Sequence, residues 1–115
     1  MIAMRPILEQ DVIDLLNNGR FEGDLDGYVV MEGPTYLGYI LYRLDKTIVS
    51  VLDCGVENTA CIDGAIRACL AAGENAGCTA FEINGEDEKL KKWRNIFCKN
   101  EPDPVPINKI FSLCK

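Results

Sequence analysis

Residues 47–83 read TIVSVLDCGVENTACIDGAIRACLAAGENAGCTAFEI, and this stretch decides the fold. Its first ten residues are rich in β-branched side chains, which is typical of a strand. From Thr59 to Gly77 the apolar side chains recur at helical spacing. Their stripe consists of Ile62, Ile66, Cys69, Leu70 and Gly73. Residues 79–83 then form a second short strand. This order predicts two parallel neighbouring strands joined by a right-handed crossover.

The residues before this stretch predict an antiparallel meander. Tyr28–Met31 and Tyr36–Leu44 are both strand-like, and turn residues follow each of them. Because such short connections cannot cross over a sheet, the strands are expected to pair antiparallel with their neighbours. Nearer the N-terminus, helical spacing predicts one helix, with Pro6 in its first turn and an apolar stripe made of Leu8, Val12, Leu15 and Leu16.

Gly55 lies near the end of the third predicted strand. An isolated glycine at such a position indicates a β-bulge or a close backbone approach, or simply marks the end of the strand. These interpretations stay open at the level of sequence.

The C-terminal part predicts one more helix and one more strand. The helix spans Glu86–Asn95, and its acidic start and basic end match the helix dipole. A proline-stiffened loop, Glu101–Pro106, leads into a final strand at Ile107–Leu113. The expected order is helix, three strands, helix, strand, helix and strand, forming a single domain over residues 1–115.

Composition excludes several classes of function. The net charge is −6, and the chain has no histidine. Without a basic face, binding to nucleic acid or to an anionic membrane surface is disfavoured. Without histidine, Ser-His-Asp and Cys-His catalysis are excluded. We expect a cytoplasmic protein, since the N-terminus lacks a signal-peptide core and no apolar run approaches the roughly 20 residues of a membrane span.

The six cysteines are interpreted as small core residues. No two of them form a CxxC pair, so neither a zinc site nor a dithiol motif is indicated. We expect no bound metal and no intramolecular disulfide, and we expect Cys61 and Cys69 to be buried.

Three segments resemble the GNAT superfamily of N-acetyltransferases. They are the opening Met4-Arg5-Pro6-Ile7 with Asp11-Val12, the step Leu37-Gly38-Tyr39, and the helix start Asp63-Gly64-Ala65-Ile66-Arg67-Ala68. The resemblance implies an α/β (α+β) fold with a mixed, mostly antiparallel sheet and helices on both faces. It is a minimal version, because Arg20–Gly27 leaves no room for the family's second helix.

The resemblance implies acetyl-CoA as cofactor and no metal. The pantetheine arm would pair with the backbone of Leu52 to Val56, in an opening between the strands Thr47–Val56 and Cys78–Ile83. The implied cofactor-binding residues are Leu52, Cys54, Val56, Asn58, Thr59 and Asn84. The family's pyrophosphate loop is glycine-rich and basic, whereas residues 57–62 contain neither glycine nor a basic residue. Glu57 and Asp63 also oppose a diphosphate.

The sequence also offers few of the catalytic groups that the resemblance implies. Asp53 is the best-placed general base, although a hydrogen-bonded strand residue is the favoured interpretation. Trp93 falls near the position at which the family has a tyrosine that protonates the departing thiolate. Tryptophan cannot donate a proton in this way. Cys54 has nothing basic near it in sequence to activate it, so burial is favoured over a nucleophilic role.

Two functions follow, and neither is excluded at this stage. One is an acyl-CoA-dependent N-acetyltransferase, a transferase with a shortened cofactor loop. The other is a non-catalytic module with the same fold that acts in self-association, as a homodimer, or in partner binding. A third and weaker idea is a small-ligand site in the same cleft.

Overall fold

A computed structural model describes residues 1–112, and its centre is one six-stranded sheet with the strands in chain order. The strands are β1 (Ile2–Pro6), β2 (Asp26–Glu32), β3 (Thr35–Asp45), β4 (Ile48–Cys54), β5 (Ala80–Ile83) and β6 (Val105–Pro106). The helices are α1 (Gln10–Asn17), α2 (Thr59–Asn75), α3 (Glu88–Phe97) and α4 (Ile107–Ser112).

The pairing pattern confirms the predicted topology. The strands from β1 to β4 pair antiparallel, as the short connections between β2, β3 and β4 require. β4 and β5 pair parallel across the α2 crossover, with Val49 beside Phe81 and Val51 beside Ile83. β6 closes the sheet by pairing antiparallel with β5.

The helical stripe of α2 covers one face of the sheet and forms the main core. Ala65, Ile66, Cys69 and Leu70 are fully buried there, together with Val49 and Val51 of β4. A smaller cluster is separate from this core and joins Ile13 of α1 to Leu25 and Leu52. The two clusters place apolar side chains on both faces of the sheet, as the predicted fold class requires.

Two sequence-based predictions at the chain ends were wrong. Pro6 closes the edge strand β1 instead of opening a helix, and α1 begins only at Gln10. An edge strand tolerates proline because the missing N–H has no partner strand to serve. The predicted strand Ile107–Leu113 is a helix over 107–112, while Leu113 and Cys114 lie outside the described residues. Ile107 and Ile110 are buried at helical spacing, whereas alternation would have buried the exposed Lys109.

Candidate functional site

β4 carries a bulge at the point where it separates from β5. Leu41 pairs with Asp53 and Tyr42 pairs with Val51, so Leu52 is the extra residue. Pairing with β5 ends at the same place, since the last pair is Val51 with Ile83. The residues from Leu52 to Cys54 therefore extend past the end of β5 and leave their backbone groups to other partners.

The bulge lies three residues before Gly55, where the sequence had suggested one. Gly55 follows the end of β4, in agreement with the strand-end interpretation. A Cβ atom at Gly55 would meet the Tyr39 ring at 2.2 Å, so a side chain makes the close approach there. Glycine is needed at this position because the ring occupies the space.

Three side chains from the β5–α3 segment occupy the free backbone groups of β4. We call Asn84, Asp87 and Lys89 the edge cluster. Asn84 Nδ2 donates to the Leu52 carbonyl at 2.8 Å. The Cys54 N–H donates to Asp87 Oδ2 at 3.1 Å, and Lys89 Nζ donates to the Cys54 carbonyl at 2.9 Å. The edge at which the resemblance implies pantetheine pairing is thus already hydrogen-bonded within the chain.

Asp87 has a second structural role that fixes its position. It is the N-cap of α3, and its Oδ1 accepts from the backbone N–H groups of Lys89 and Leu90 at 3.0 and 3.1 Å. One carboxylate therefore joins the start of α3 to β4. Because capping and strand contact share this group, the edge cluster is held by the same interactions that start the helix.

Asp53 lies on the opposite face of the sheet from Cys54, and two donors hold its carboxylate. Arg20 Nη2 and the Tyr39 hydroxyl each donate to Asp53 Oδ2 at 2.6 Å, and the side chain is 13% exposed. Partial burial acts to raise the pKa of Asp53, but hydrogen bonds from Arg20 and Tyr39 outweigh it and lower the pKa. A carboxylate with a lowered pKa is a weak general base at neutral pH. The geometry favours the hydrogen-bonded strand residue, and a catalytic role for Asp53 stays a prediction.

The N-terminus of α2 is closed by its own cap. Asn58 is the N-cap, and its Oδ1 accepts from the Ala60 N–H at 2.9 Å. The N–H groups of Cys61 and Ile62 donate to the Asn58 carbonyl at 3.0 and 3.2 Å. The Ala60 and Cys61 N–H groups, which could have faced a phosphate, are therefore engaged, and the Ile62 N–H makes the first regular helical hydrogen bond of α2. Together with the edge cluster, this leaves acetyl-CoA without the backbone partners of the implied pose, so these residues do not fit the cofactor.

Asp63 does not cap α2. Its Oδ1 accepts from Trp93 Nε1 at 2.8 Å, and Arg67 Nε donates to the same carboxylate at 3.0 Å. Trp93 is buried between Phe81 and Phe97, with ring centroids 6.1 and 5.0 Å away. Trp93 is therefore a core residue that ties α3 to α2.

A cavity of about 470 Å³ opens between the first turns of α2 and the outer side of α3. We call it the α2–α3 cavity. Its lining combines apolar and charged side chains: Glu57, Thr59, Ala60, Ile62, Asp63, Lys89, Lys92, Trp93, Ile96 and Phe97. Its size falls within the usual range for small-molecule sites.

The cysteines in residues 1–112 are all buried free thiols, which confirms the predicted burial of Cys61 and Cys69. Burial raises the pKa of Cys54 to about 11, so the thiolate is scarce at neutral pH. Within residues 1–112, no group of three or more acidic or cysteine side chains could hold a metal ion. None of the described helices is long and apolar enough to cross a membrane.

The structure distributes the predicted site residues over three places. Leu52, Cys54 and Val56 are buried in or just after β4, while Asn58 and Thr59 begin α2. Asn84 alone reaches across to β4 as a side chain. Sequence reasoning did not identify Arg20, Tyr39, Asp87 and Lys89 as hydrogen-bonding partners of β4. Only Asp87 carried a usable signal, because an aspartate before an apolar helix stripe is a common N-cap.

Comparison with known proteins supports the fold and not a family assignment. No protein-family profile matches the sequence, and no curated protein matches it significantly. Among solved structures, a candidate acetyltransferase of the GNAT family from Desulfovibrio desulfuricans is similar, with a TM-score of 0.54 at 12% sequence identity. The match covers 72% of each chain. The chain therefore has a GNAT-like fold.

Proposed function

We propose that this chain is a non-catalytic GNAT-like module that binds a partner protein. The observation that carries the proposal is the edge cluster. Asp87 accepts a hydrogen bond from the Cys54 N–H and Lys89 donates one to the Cys54 carbonyl, so neither backbone group is available to an acyl-CoA. An acyl-CoA would have to break both hydrogen bonds and replace them. Each hydrogen bond to a charged group contributes about 1.5–3 kcal/mol, so opening the edge is costly.

The hydrogen bonds of Trp93 and Asp53 support the same proposal. Trp93 cannot protonate a leaving thiolate, and its indole N–H is committed to Asp63. Asp53 is a carboxylate already neutralised by Arg20. Acyl transfer that depended on Trp93 as acid and Asp53 as base would therefore have to rely on positioning alone.

An exposed apolar stripe on α1 supports partner binding. The α1 stripe consists of Val12 and Leu15 on the helix and of Leu8 in the segment just before it, and Leu8 is 89% and Leu15 is 79% exposed. Residues 18–25, which connect α1 to β2, contain no helix that could cover this face. Apolar side chains exposed within one short segment favour an interaction site there.

The charge around the α1 stripe favours a basic partner over a second copy of the chain. Glu9, Asp11 and Asp14 are exposed beside the stripe, and the whole chain carries a net charge of −6. Two copies meeting through α1 would bring like charges together, whereas a partner with Lys or Arg beside apolar residues would be attracted. The proposed occupant is therefore a basic amphipathic protein segment.

A designed peptide tests this proposal. We expect a 14-residue Leu/Lys amphipathic helix to bind the wild-type chain and the variant Leu8→Ser/Leu15→Ser to bind it at least tenfold more weakly. Tyr36→Ser is the matched control, because Tyr36 is an exposed apolar residue on β3 and is expected to leave binding unchanged. Fluorescence anisotropy of a labelled peptide measures all three proteins.

Equal peptide affinity for the wild type and the double variant would refute the α1 stripe as the binding surface. A concentration-dependent dimer in sedimentation equilibrium that disappears in Leu8→Ser/Leu15→Ser would refute the basic partner and favour self-association. Both readouts use exposed positions, so folding is expected to be preserved.

A further inference from the structure

The α2–α3 cavity combines an apolar floor with a single uncommitted positive charge. Ile62, Trp93 and Phe97 form the floor, and Ile96 at the rim is 65% exposed. An isoleucine this exposed beside a partly buried aromatic side chain leaves apolar surface in contact with water. Covering that surface with an apolar ligand would be favourable in proportion to the area removed from water.

The other charged side chains of the lining already have partners. Asp63 accepts hydrogen bonds from Trp93 and Arg67, so its charge is balanced within the fold. Lys89 donates to the Cys54 carbonyl and lies 3.9 Å from Glu57.

Lys92 differs from these residues. Among residues 1–112, no hydrogen bond or ion pair engages the Lys92 ammonium. The cavity therefore presents one free cation at its rim.

We propose that the α2–α3 cavity binds a small amphipathic carboxylate, a molecule with one anionic group and an aliphatic or aromatic body. The carboxylate would pair with Lys92, and the body would lie against Trp93, Ile96 and Phe97. A single negative charge matches the one free cation of the described lining, whereas a diphosphate carries more negative charge than Lys92 can balance. The proposal goes beyond partner binding through α1, because it concerns another face and another class of ligand.

The single tryptophan makes this site directly measurable. Trp93 is the only tryptophan of the chain and lines the cavity, so its fluorescence reports on occupancy. Octanoate, octanol and octylamine share one chain length and differ in charge. We expect octanoate to change the Trp93 emission saturably, octanol to bind more weakly, and octylamine to bind weakest.

Two variants separate the charge from the apolar floor. Lys92→Met is expected to weaken octanoate binding about fivefold, the upper range for a partly exposed ion pair, and to leave octanol unchanged. Lys91→Met is the matched control, since Lys91 pairs with Glu88 and does not line the cavity. Ala60→Phe, which fills the cavity from the exposed start of α2, is expected to abolish binding of both ligands.

Three results would overturn the proposal. They are an unchanged Trp93 emission in octanoate up to its solubility limit, equal affinities for octanoate and octylamine, and octanoate binding that survives Ala60→Phe. Circular dichroism of each variant verifies folding, and calorimetry repeats the titration without relying on Trp93. None of these readouts involves α1 or acyl-CoA. A negative result for the α2–α3 cavity therefore leaves the proposed function unaffected, and a negative result for the peptide leaves this proposal unaffected.

Discussion

The carboxylate of Asp53 receives two charged or polar donors on one oxygen atom, which makes it a structural group. Arg20 comes from the segment after α1 and Tyr39 from β3, so this one side chain links three parts of the chain. Asp53→Asn keeps the shape and removes the charge. We expect it to lower the free energy of unfolding by about 1–2 kcal/mol at pH 7, because Arg20 loses its ion pair.

The pH dependence of this effect has a definite sign. Because the folded state lowers the pKa of Asp53, its contribution is fully present above the unfolded value of about 3.9. The contribution is lost as the pH falls through the lower folded value. The stability difference between wild type and Asp53→Asn should therefore stay constant from pH 7 to 5 and disappear below the folded pKa. Urea unfolding across this range measures it, with the exposed Asp24→Asn as control. A difference that persists undiminished at pH 2 would contradict the assignment.

At the scale of single residues, sequence reasoning succeeded where the cause was local. The burial of Cys61 and Cys69 was predicted because it follows from the apolar spacing within their own helix. The partners of Asp53 could not be predicted, because Arg20 lies 33 positions away and reaches it only after the sheet has formed. The same holds for Asp87, whose contact with Cys54 spans 33 positions.

At the scale of elements, α2 contains two glycines with opposite expected responses to alanine. A Cβ atom at Gly73 would lie 2.0 Å from Cγ2 of Val49, a fully buried and stiff side chain. A Cβ atom at Gly64 would lie 2.9 Å from Cε of Met4, the end of a flexible side chain. Alanine gains about 1 kcal/mol over glycine in a helix, and overpacking costs about 1–3 kcal/mol.

We therefore expect Gly73→Ala to destabilise the protein by up to about 2 kcal/mol and Gly64→Ala to be neutral or slightly stabilising. Chemical denaturation followed by circular dichroism measures both variants in the same helix. A stabilising Gly73→Ala would contradict the close packing of α2 on β4.

The elements with long, regular patterns were predicted well. The stretch β4–α2–β5 follows from periodicity because α2 is 17 residues long and its stripe repeats over several turns. The six described residues of α4 were predicted as a strand, because so short a pattern does not separate the two periods. The sequence left a bulge at Gly55 open beside a strand end, and it could not locate the bulge at Leu52, because a register shift depends on the pairing with β3.

At the scale of the whole molecule, a GNAT-like fold does not by itself imply acetyltransferase activity. The similar structure from Desulfovibrio desulfuricans supports a GNAT-like fold. The edge cluster engages the β4 backbone groups at which the resemblance implies pantetheine pairing. The sequence predicted a poor phosphate loop from its composition. It could not predict the closed β4 edge, since that closure arises from the packing of α3 against β4.

Calorimetric titration of acetyl-CoA into the wild-type protein tests the central claim most directly. The closed edge and the capped α2 terminus predict a millimolar dissociation constant or no binding, which corresponds to less than about 4 kcal/mol. Glu57→Gln, which removes an exposed charge without opening the edge, is expected to give the same result. Low-micromolar binding of acetyl-CoA to the wild-type protein would contradict the account and support the acyltransferase.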